Sequence, residues 1–410
     1  MSQSVPWATE FHRVPNRIKV LQLIRAAGPL SRADIARGLQ LSRPTASRIV
    51  DELMLEGMIE TVGKSQPTGG RLGDLYTFRL DAGVVLGLQL GTQDARAALA
   101  TLSGEILCQT ARPLALEKRR SVLPQLRGLI AQTLDSSQHE PKTVLAAGLA
   151  VPGVVNVSTG MVQSAPSVFP GLSDRPLMHE LEQHLGVPVV MDNDVNFAAL
   201  GEQHSGCAHG IRDIVFIFVG PGIGAGLILN GELLRGSSGA AGEIGHMVID
   251  RESLYREHAS FGSLESIAGI HYLLQAAQAR GLPYETGAAV CEQAFAGNPR
   301  ALQIVCELSE YLAAAVINTV SIIDPEVVVL GGDLAELPHA EELFVRPIEA
   351  LMRKQVIHMP RLRLSQLQGD AALHGALHAA AGFVLRAAGR PGGYLANTAD
   401  GAGLAAAAAT

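Results

Sequence analysis

An α/β body preceded by a winged helix-turn-helix is the fold class the sequence predicts, and three observations carry it. Residues 31–60, SRADIARGLQLSRPTASRIVDELMLEGMIE, read as two capped amphipathic helices joined by a turn. From Gly83 onward, short runs of Val, Ile and Leu end in glycine turns and alternate with helical stretches. The charge is also unevenly placed. The chain carries −7 overall, yet residues 1–80 hold 11 basic and 7 acidic side chains, a net +4, which leaves −11 for the rest. A basic module tied to an acidic body points to nucleic acid at the front end only.

Within the front end, a first helix over about Asn16 to Ala27 carries Ile18, Leu21, Leu23 and Ile24 as packing residues. Ser31 caps the next helix, with Asp34 in the capping-box position. Gly38 and Leu39 end it, and Gln40-Leu41 form the turn. Ser42 caps the second helix of the pair, and Pro44 is tolerated there because first-turn backbone donors have no helical partner. Ala46, Ile49, Val50 and Leu53 face inward, leaving Arg43, Thr45, Ser47 and Arg48 for base edges and phosphates. Met58–Val62 and Leu75–Leu80 alternate like the strands of a wing, around a flexible loop holding Lys64 and Arg71. The competing reading is a helical interaction module with ordinary solvated arginines. Helix pair, caps, wing and positive charge together favour double-stranded DNA as partner.

Length and composition bound the remainder. With 410 residues the chain is long enough for two or three domains, and 47% hydrophobic residues can build large cores. Aromatics are only 4%, which suits packed α/β layers better than a surface that stacks on bases. No uninterrupted run of 18 apolar residues occurs, so no membrane span is expected. MSQSVPWATEFHRVPN lacks a basic segment followed by an apolar one, so no secretory signal is expected. Cys108, Cys207, Cys291 and Cys306 are far apart without CxxC spacing, as in a reduced, cytoplasmic protein.

In the body, VVLGLQLGTQDARAALATLSGEIL reads as two strands and a tight turn, and TVLAAGLAVPGVVN as a buried strand ending at Pro152-Gly153. VPVVMDNDVNFAALGE is a strand, a polar corner and a helix start. DIVFIFVGPGIGAGLILNGELL is an apolar hairpin, and EVVVLGGDLAEL a strand with a glycine turn. Helices are expected around 121–136, 264–280 and 300–323. Each glycine turn alone is more often a tight corner than a phosphate site.

In this order the motifs resemble the ROK family, the sugar-responsive repressors and sugar kinases with an actin-like, two-lobed α/β fold. The likeness runs from about residue 15 to 385, and VGPGIGAGLILNGELLRGSSGAAGEIGHM at 219–247 is its most specific segment. The N-terminal helices place it with the repressor branch. The resemblance implies a winged helix over 1–80, a first lobe over 81–195 completed by a C-terminal helix at 370–388, and a second lobe over 196–369. Small residues and low charge make 389–410 a disordered tail on composition. It further implies that Asn193 and Asp194 face a sugar, with Asp194 the vestige of a catalytic base. Glu243, His246 and Glu265 would hold hydroxyls, and Gly153 lies among the ligand-binding candidates. The competing reading makes Asp194 a helix cap and Glu243 and Glu265 solvated.

Three departures from the family pattern matter. Where kinases read Asp-x-Gly-Gly-Thr, this chain has Gln89-Leu90-Gly91-Thr92-Gln93, and a neutral amide is a poor partner for magnesium and ATP. Little or no kinase activity is therefore expected. Ser167 stands where a sugar-contacting asparagine is usual. The family's zinc loop keeps His246 but has Arg256, His258 and Ser263 at its three cysteine positions, so no zinc is expected. The expected function is a sugar-responsive DNA-binding regulator, a repressor acting as a homodimer or homotetramer. The alternatives are a hexose kinase with an accessory domain and a regulator whose cleft is vestigial.

Overall fold

The computed structural model describes residues 16–65, 73–79, 83–91, 94–114, 122–137, 144–164, 172–173, 176–255 and 262–388. Arg71, Thr92, Gln93, Ser167, Arg256, His258 and the tail 389–410 lie outside these ranges.

The front end consists of α1 (Asn16–Ala27), β1 (Leu30–Ser31), α2 (Arg32–Gly38), α3 (Arg43–Leu55), β2 (Ile59–Lys64) and β3 (Asp74–Phe78). Both halves of the Ser31–Asp34 capping box form, and the Ser42 side chain accepts from the Thr45 backbone. Leu21, Ile35, Val50 and Leu53 are wholly buried together, each stabilising by roughly 1.5–3 kcal/mol relative to exposure. The wing strands pair antiparallel, with an irregularity between Thr61 and Gly63. They differ from expectation in two ways. A short third strand, β1, joins β3, because the capped entry to α2 runs extended beside it. Lys64 sits in β2 rather than in the loop, opposite Asp74, whose carboxylate lies 2.5 Å from its ammonium.

The body repeats one sheet plan twice. The first lobe contains β4 (Val84–Leu90), β5 (Asp94–Thr101), β6 (Ile106–Pro113), α4 (Val122–Ser137), β7 (Val144–Val151), β8 (Val154–Asn156), β9 (Met161–Ser164), α5 (Leu177–Leu185) and β10 (Val189–Asn193). Then come α6 (Asp194–Ser205), β11 (Ile214–Val219), β12 (Ile223–Leu229), β13 (Glu232–Leu233), α7 (Glu265–Ala268), α8 (His271–Ala279), α9 (Gly287–Phe295) and α10 (Pro299–Ile323). The chain closes with β14 (Val327–Gly331), α11 (Arg346–Met352), β15 (Arg361–Leu364) and α12 (Ala371–Ala388). Strand orders are β10-β7-β4-β5-β6 and β13-β12-β11-β14-β15. In each sheet three strands meander antiparallel and two more add in parallel.

The segment expected to hold two strands is the start of a three-stranded meander, since β6 begins at Ile106. The helix expected over 264–280 is split in two, because Gly269 takes an extended conformation and ends α7. By length and mean hydropathy α10 alone among the described helices could cross a membrane, although it includes no unbroken apolar run of that length. Its apolar side, from Ala301 to Val320, packs instead in the core of the second lobe.

Two helices join the lobes. α6 crosses the expected boundary at 195/196 and packs on β12, where the main chain of Val195 crowds Gly226. α12 lies on β4 and β7, with the Ala376 carbonyl against Gly148. The two helices then meet backbone to backbone. A Cβ added at Gly201 would stand 2.1 Å from the Ala371 oxygen, and one at Gly375 1.8 Å from the Phe197 oxygen. Side chains are excluded from this contact, so the helices have little room to slide. The end of α12 reaches the winged helix, where Leu385 is buried in the same cluster as Leu21, Ile24 and Ile35.

Candidate effector site and DNA-binding surface

The polar corner after β10 is built by the MDND run. Asn193 is the N-cap of α6, accepting from the backbone N–H of Val195 and Asn196 at 2.8 and 3.1 Å. Its amide nitrogen donates to the Gly153 carbonyl at 3.0 Å. Gly153 has φ +104°, a conformation glycine adopts without strain, and this aims its carbonyl at the cap. The side chain of Asn193 is therefore engaged by the protein at both ends. Helix capping belongs mainly to Asn193, while the Asp194 carboxylate accepts from the backbone N–H of Val195 at 3.0 Å and from its own.

Burial pushes the Asp194 carboxyl up to about 7, with repulsion from Glu243 adding to the rise. Glu243 and Glu265 are raised for the same first reason, with His246 pulling both down and Glu265 repelling Glu243. Glu243 thus lies within electrostatic reach of Asp194, His246 and Glu265, although 71 residues separate Asp194 from Glu265. Glu243 precedes the 3-10 turn Ile244–His246, and Glu265 opens α7. Glycines make this approach possible. A Cβ at Gly242 would meet the Ala225 oxygen at 1.9 Å, and one at Gly245 would meet Glu265 Oε2 at 2.9 Å. With its carboxyl at about 7, Asp194 can both donate to and accept from hydroxyl groups, and Glu243 and Glu265 add acceptors beside it.

Sequence reasoning missed Asp192 and Arg235. Asp192 is almost fully buried and accepts from the Asn193 backbone at 2.8 Å, Asn196 Nδ2 at 2.9 Å and Arg235 Nε at 2.7 Å. Arg235 follows β13, so this pair ties the second lobe to the corner of the first. The signal was present as a second aspartate in DND and an arginine closing the apolar hairpin, but only the topology shows that the two meet.

Of the three zinc-loop positions after His246, only Ser263 lies among the described residues. Ser263 is buried and supplies its carbonyl to the Ser266 hydroxyl, and Gly262 packs directly on Gly245. Among the described residues no group of three or more His, Cys, Asp and Glu is arranged to hold a metal.

On α3, Arg43 and Arg48 are exposed, whereas Thr45 and Ser47 are half-buried. The Thr45 hydroxyl lies 2.7 Å from Ser42 Oγ, so part of its hydrogen-bonding capacity serves the cap. Arg48 pairs with Glu52 at 3.1 Å one turn along the helix. Arg32 fixes α3 against the wing through Asp51 at 2.5 Å, the Ser47 carbonyl at 3.4 Å and the Tyr76 hydroxyl at 2.9 Å. The four expected DNA-facing residues therefore sit at the N-terminal end of one helix, on a rigid support.

Fold and site together define a transcriptional regulator that joins a winged helix to a sugar-kinase-like body. Residues 85–382 match the ROK family, and residues 15–60 match a winged helix-turn-helix DNA-binding family. A putative xylose repressor of Caldicellulosiruptor sp. (strain Rt8B.4) is 28% identical over 378 residues, spanning 88% of this chain and 94% of that protein. A glucokinase of Halalkalibacterium halodurans is 30% identical over 313 residues, 71% of this chain and 92% of the enzyme. The crystal structure of a ROK family transcriptional regulator, described as a homolog of the E. coli MLC protein, superposes with a TM-score of 0.78 at 26% identity. It spans 90% of this chain and 96% of that one. The chain belongs to the ROK family and is a DNA-binding transcriptional regulator within it.

Proposed function

We propose that this protein is a cytoplasmic repressor that binds its operator as a homo-oligomer and releases it when a sugar or sugar derivative occupies the cleft. The observation that carries this reading is the placement of Asp194 at the start of α6. That helix packs backbone to backbone on α12, and α12 ends in the core of the winged helix. Asp194, Glu243, His246 and Glu265 would hold ligand hydroxyls, while Asn193 and Gly153 act by fixing the corner. A ligand that prefers one angle between the lobes would then bias the position of α12. Arg43, Thr45, Ser47 and Arg48 would meet the major groove, with Lys64 and Arg71 near the backbone. A single short recognition helix reads only a few base pairs, hence the oligomer.

The turn at His246 would stand without zinc, supported by the Gly262–Gly245 contact. A thermal-shift screen of sugars and sugar phosphates tests the cleft. At least one should raise the melting temperature of the wild type and fail to do so for Glu243→Gln. Silence across the panel would favour a regulator with a vestigial cleft.

The glucokinase relative favours a second reading, an active kinase. Gln89 opposes it, since a neutral amide replaces the carboxylate that suits magnesium. ADP release with a hexose that is abolished by Asp194→Asn would establish the kinase instead.

A further inference from the structure

Gln89, near the end of β4, has both ends of its side-chain amide engaged by the segment that opens α12. Its Nε2 donates to the Gly369 carbonyl at 3.1 Å, and its Oε1 accepts from the Leu373 backbone N–H at 3.1 Å. Leu373 is the third residue of α12, and its N–H is one of the first-turn donors that have no partner within a helix. Only a neutral group carrying both a donor and an acceptor can make this pair of bonds. A carboxylate would accept from Leu373 but turn an unprotonated oxygen towards another acceptor at Gly369.

A second tether runs beside the first. Asp370 accepts from Arg96 Nη1 on β5 at 2.6 Å and from Gln109 Nε2 on β6 at 3.0 Å, and Asp94 orients Arg96 at 3.0 Å. The fit is close, since a Cβ at Gly369 would stand 3.0 Å from the Arg96 guanidinium. Three strands of the first lobe thus grip the start of a helix whose far end, Leu385, is built into the winged-helix core.

We propose that Gln89 is a positioning residue for operator binding. The corner that handles phosphate in kinase relatives serves here as the anchor of the connecting helix, so the winged helix follows the first lobe. The inference rests on the regulator reading and adds to it. It also gives the amide at position 89 a role of its own, beyond the loss of a catalytic carboxylate.

Gln89→Glu tests it, because the glutamate is nearly isosteric and regains the missing donor when protonated. The other charged and titratable groups around the corner are Asp94, Arg96, Glu336, Asp370 and His374, and they are common to both proteins. The ratio of variant to wild type at each pH therefore isolates position 89. The probe is a duplex selected from a random pool by the wild-type protein. At about pH 8 the variant should bind it at least roughly fivefold more weakly and exchange the amide hydrogens of α1 faster, as expected for a buried acceptor left unpaired. The deficit should shrink towards about pH 5.5 as the glutamate takes up a proton. Should Gln89→Glu fail to fold, Gln89→Met, of similar length and unable to make either bond, should show the same loss without pH dependence. Equal affinity of wild type and folded variant at about pH 8 would overturn the anchor and leave the regulator reading intact. Selection of no duplex by the wild type would overturn the regulator reading itself.

Discussion

Gly375 of α12 lies so close to Phe197 of α6 that a single added methyl group would stand 1.8 Å from the Phe197 carbonyl oxygen. At this point nothing can yield by rotating a side chain, because the Gly375 backbone meets the Phe197 backbone directly. Gly375→Ala should therefore force the helices apart, lowering stability by about 1–3 kcal/mol or more. Chemical denaturation measures the loss. Operator affinity should fall with it, since α12 also carries the winged helix.

Leu385→Ala acts at the other end of the same helix. Removing a buried leucine side chain costs about 2–5 kcal/mol where the site cannot collapse. Here the loss falls on the junction between α12 and the winged helix. Hydrogen exchange should quicken in α1 and α3 but not in β4 or β7. Affinity for a cleft ligand should remain that of the wild type while operator binding weakens. An equal loss of both would mean that α12 supports the whole body rather than the junction.

Stability should depend on pH through Asp194. Its carboxyl sits at about 7 in the folded protein against 3.8 for an ordinary aspartate, so between these values the folded state holds more protons than the unfolded one. The contribution is therefore greatest on the acid side and is lost as pH rises through about 7. Asp194→Asn removes the titration. The variant should be more stable than the wild type by roughly 2–4 kcal/mol at about pH 8, with the advantage vanishing near about pH 4. Denaturant midpoints across that range provide the check.

Much of this was legible in the sequence, because the determinants are local. Ser31 with Asp34, Ser42 with Thr45, and the apolar spacing of Ala46, Ile49, Val50 and Leu53 all act within a few residues. The glycine turns and the order of the motifs likewise pointed to the two-lobed body. What stayed hidden depends on residues far apart in the chain. Asp192 meets Arg235 43 positions away, and Gln89 meets Leu373 284 positions away, so neither pair leaves a periodic trace. Leu385 reads as one more apolar residue in an alanine-rich helix, and its place in the winged-helix core follows from topology alone. Lys64 reads as a loop residue because β2 continues past the irregularity between Thr61 and Gly63, beyond the alternation of its apolar residues.

The DNA surface makes its own prediction. Arg43→Ala should weaken binding to a selected duplex by roughly 5–100-fold, whether the arginine contacts a base edge or a phosphate. The slope of log affinity against log salt separates the two. A phosphate contact reduces it by about one, whereas a base contact leaves it nearly unchanged and relaxes sequence preference. Lys64→Ala should have a smaller effect than Arg43→Ala, because Asp74 already neutralises that ammonium in the free protein.

The central claim is that occupancy of the cleft and operator binding are coupled through α6 and α12. The most direct test titrates a selected duplex with the full-length protein, with and without a saturating sugar found by thermal shift. Operator affinity should fall at least tenfold in the presence of the sugar, a coupling of about 1.4 kcal/mol, and sugar affinity should fall by the same factor when the duplex is saturating. Glu265→Gln, which alters the cleft without touching α12, should lose the sugar effect and keep operator affinity. An operator affinity unchanged by a sugar that demonstrably binds would contradict the account.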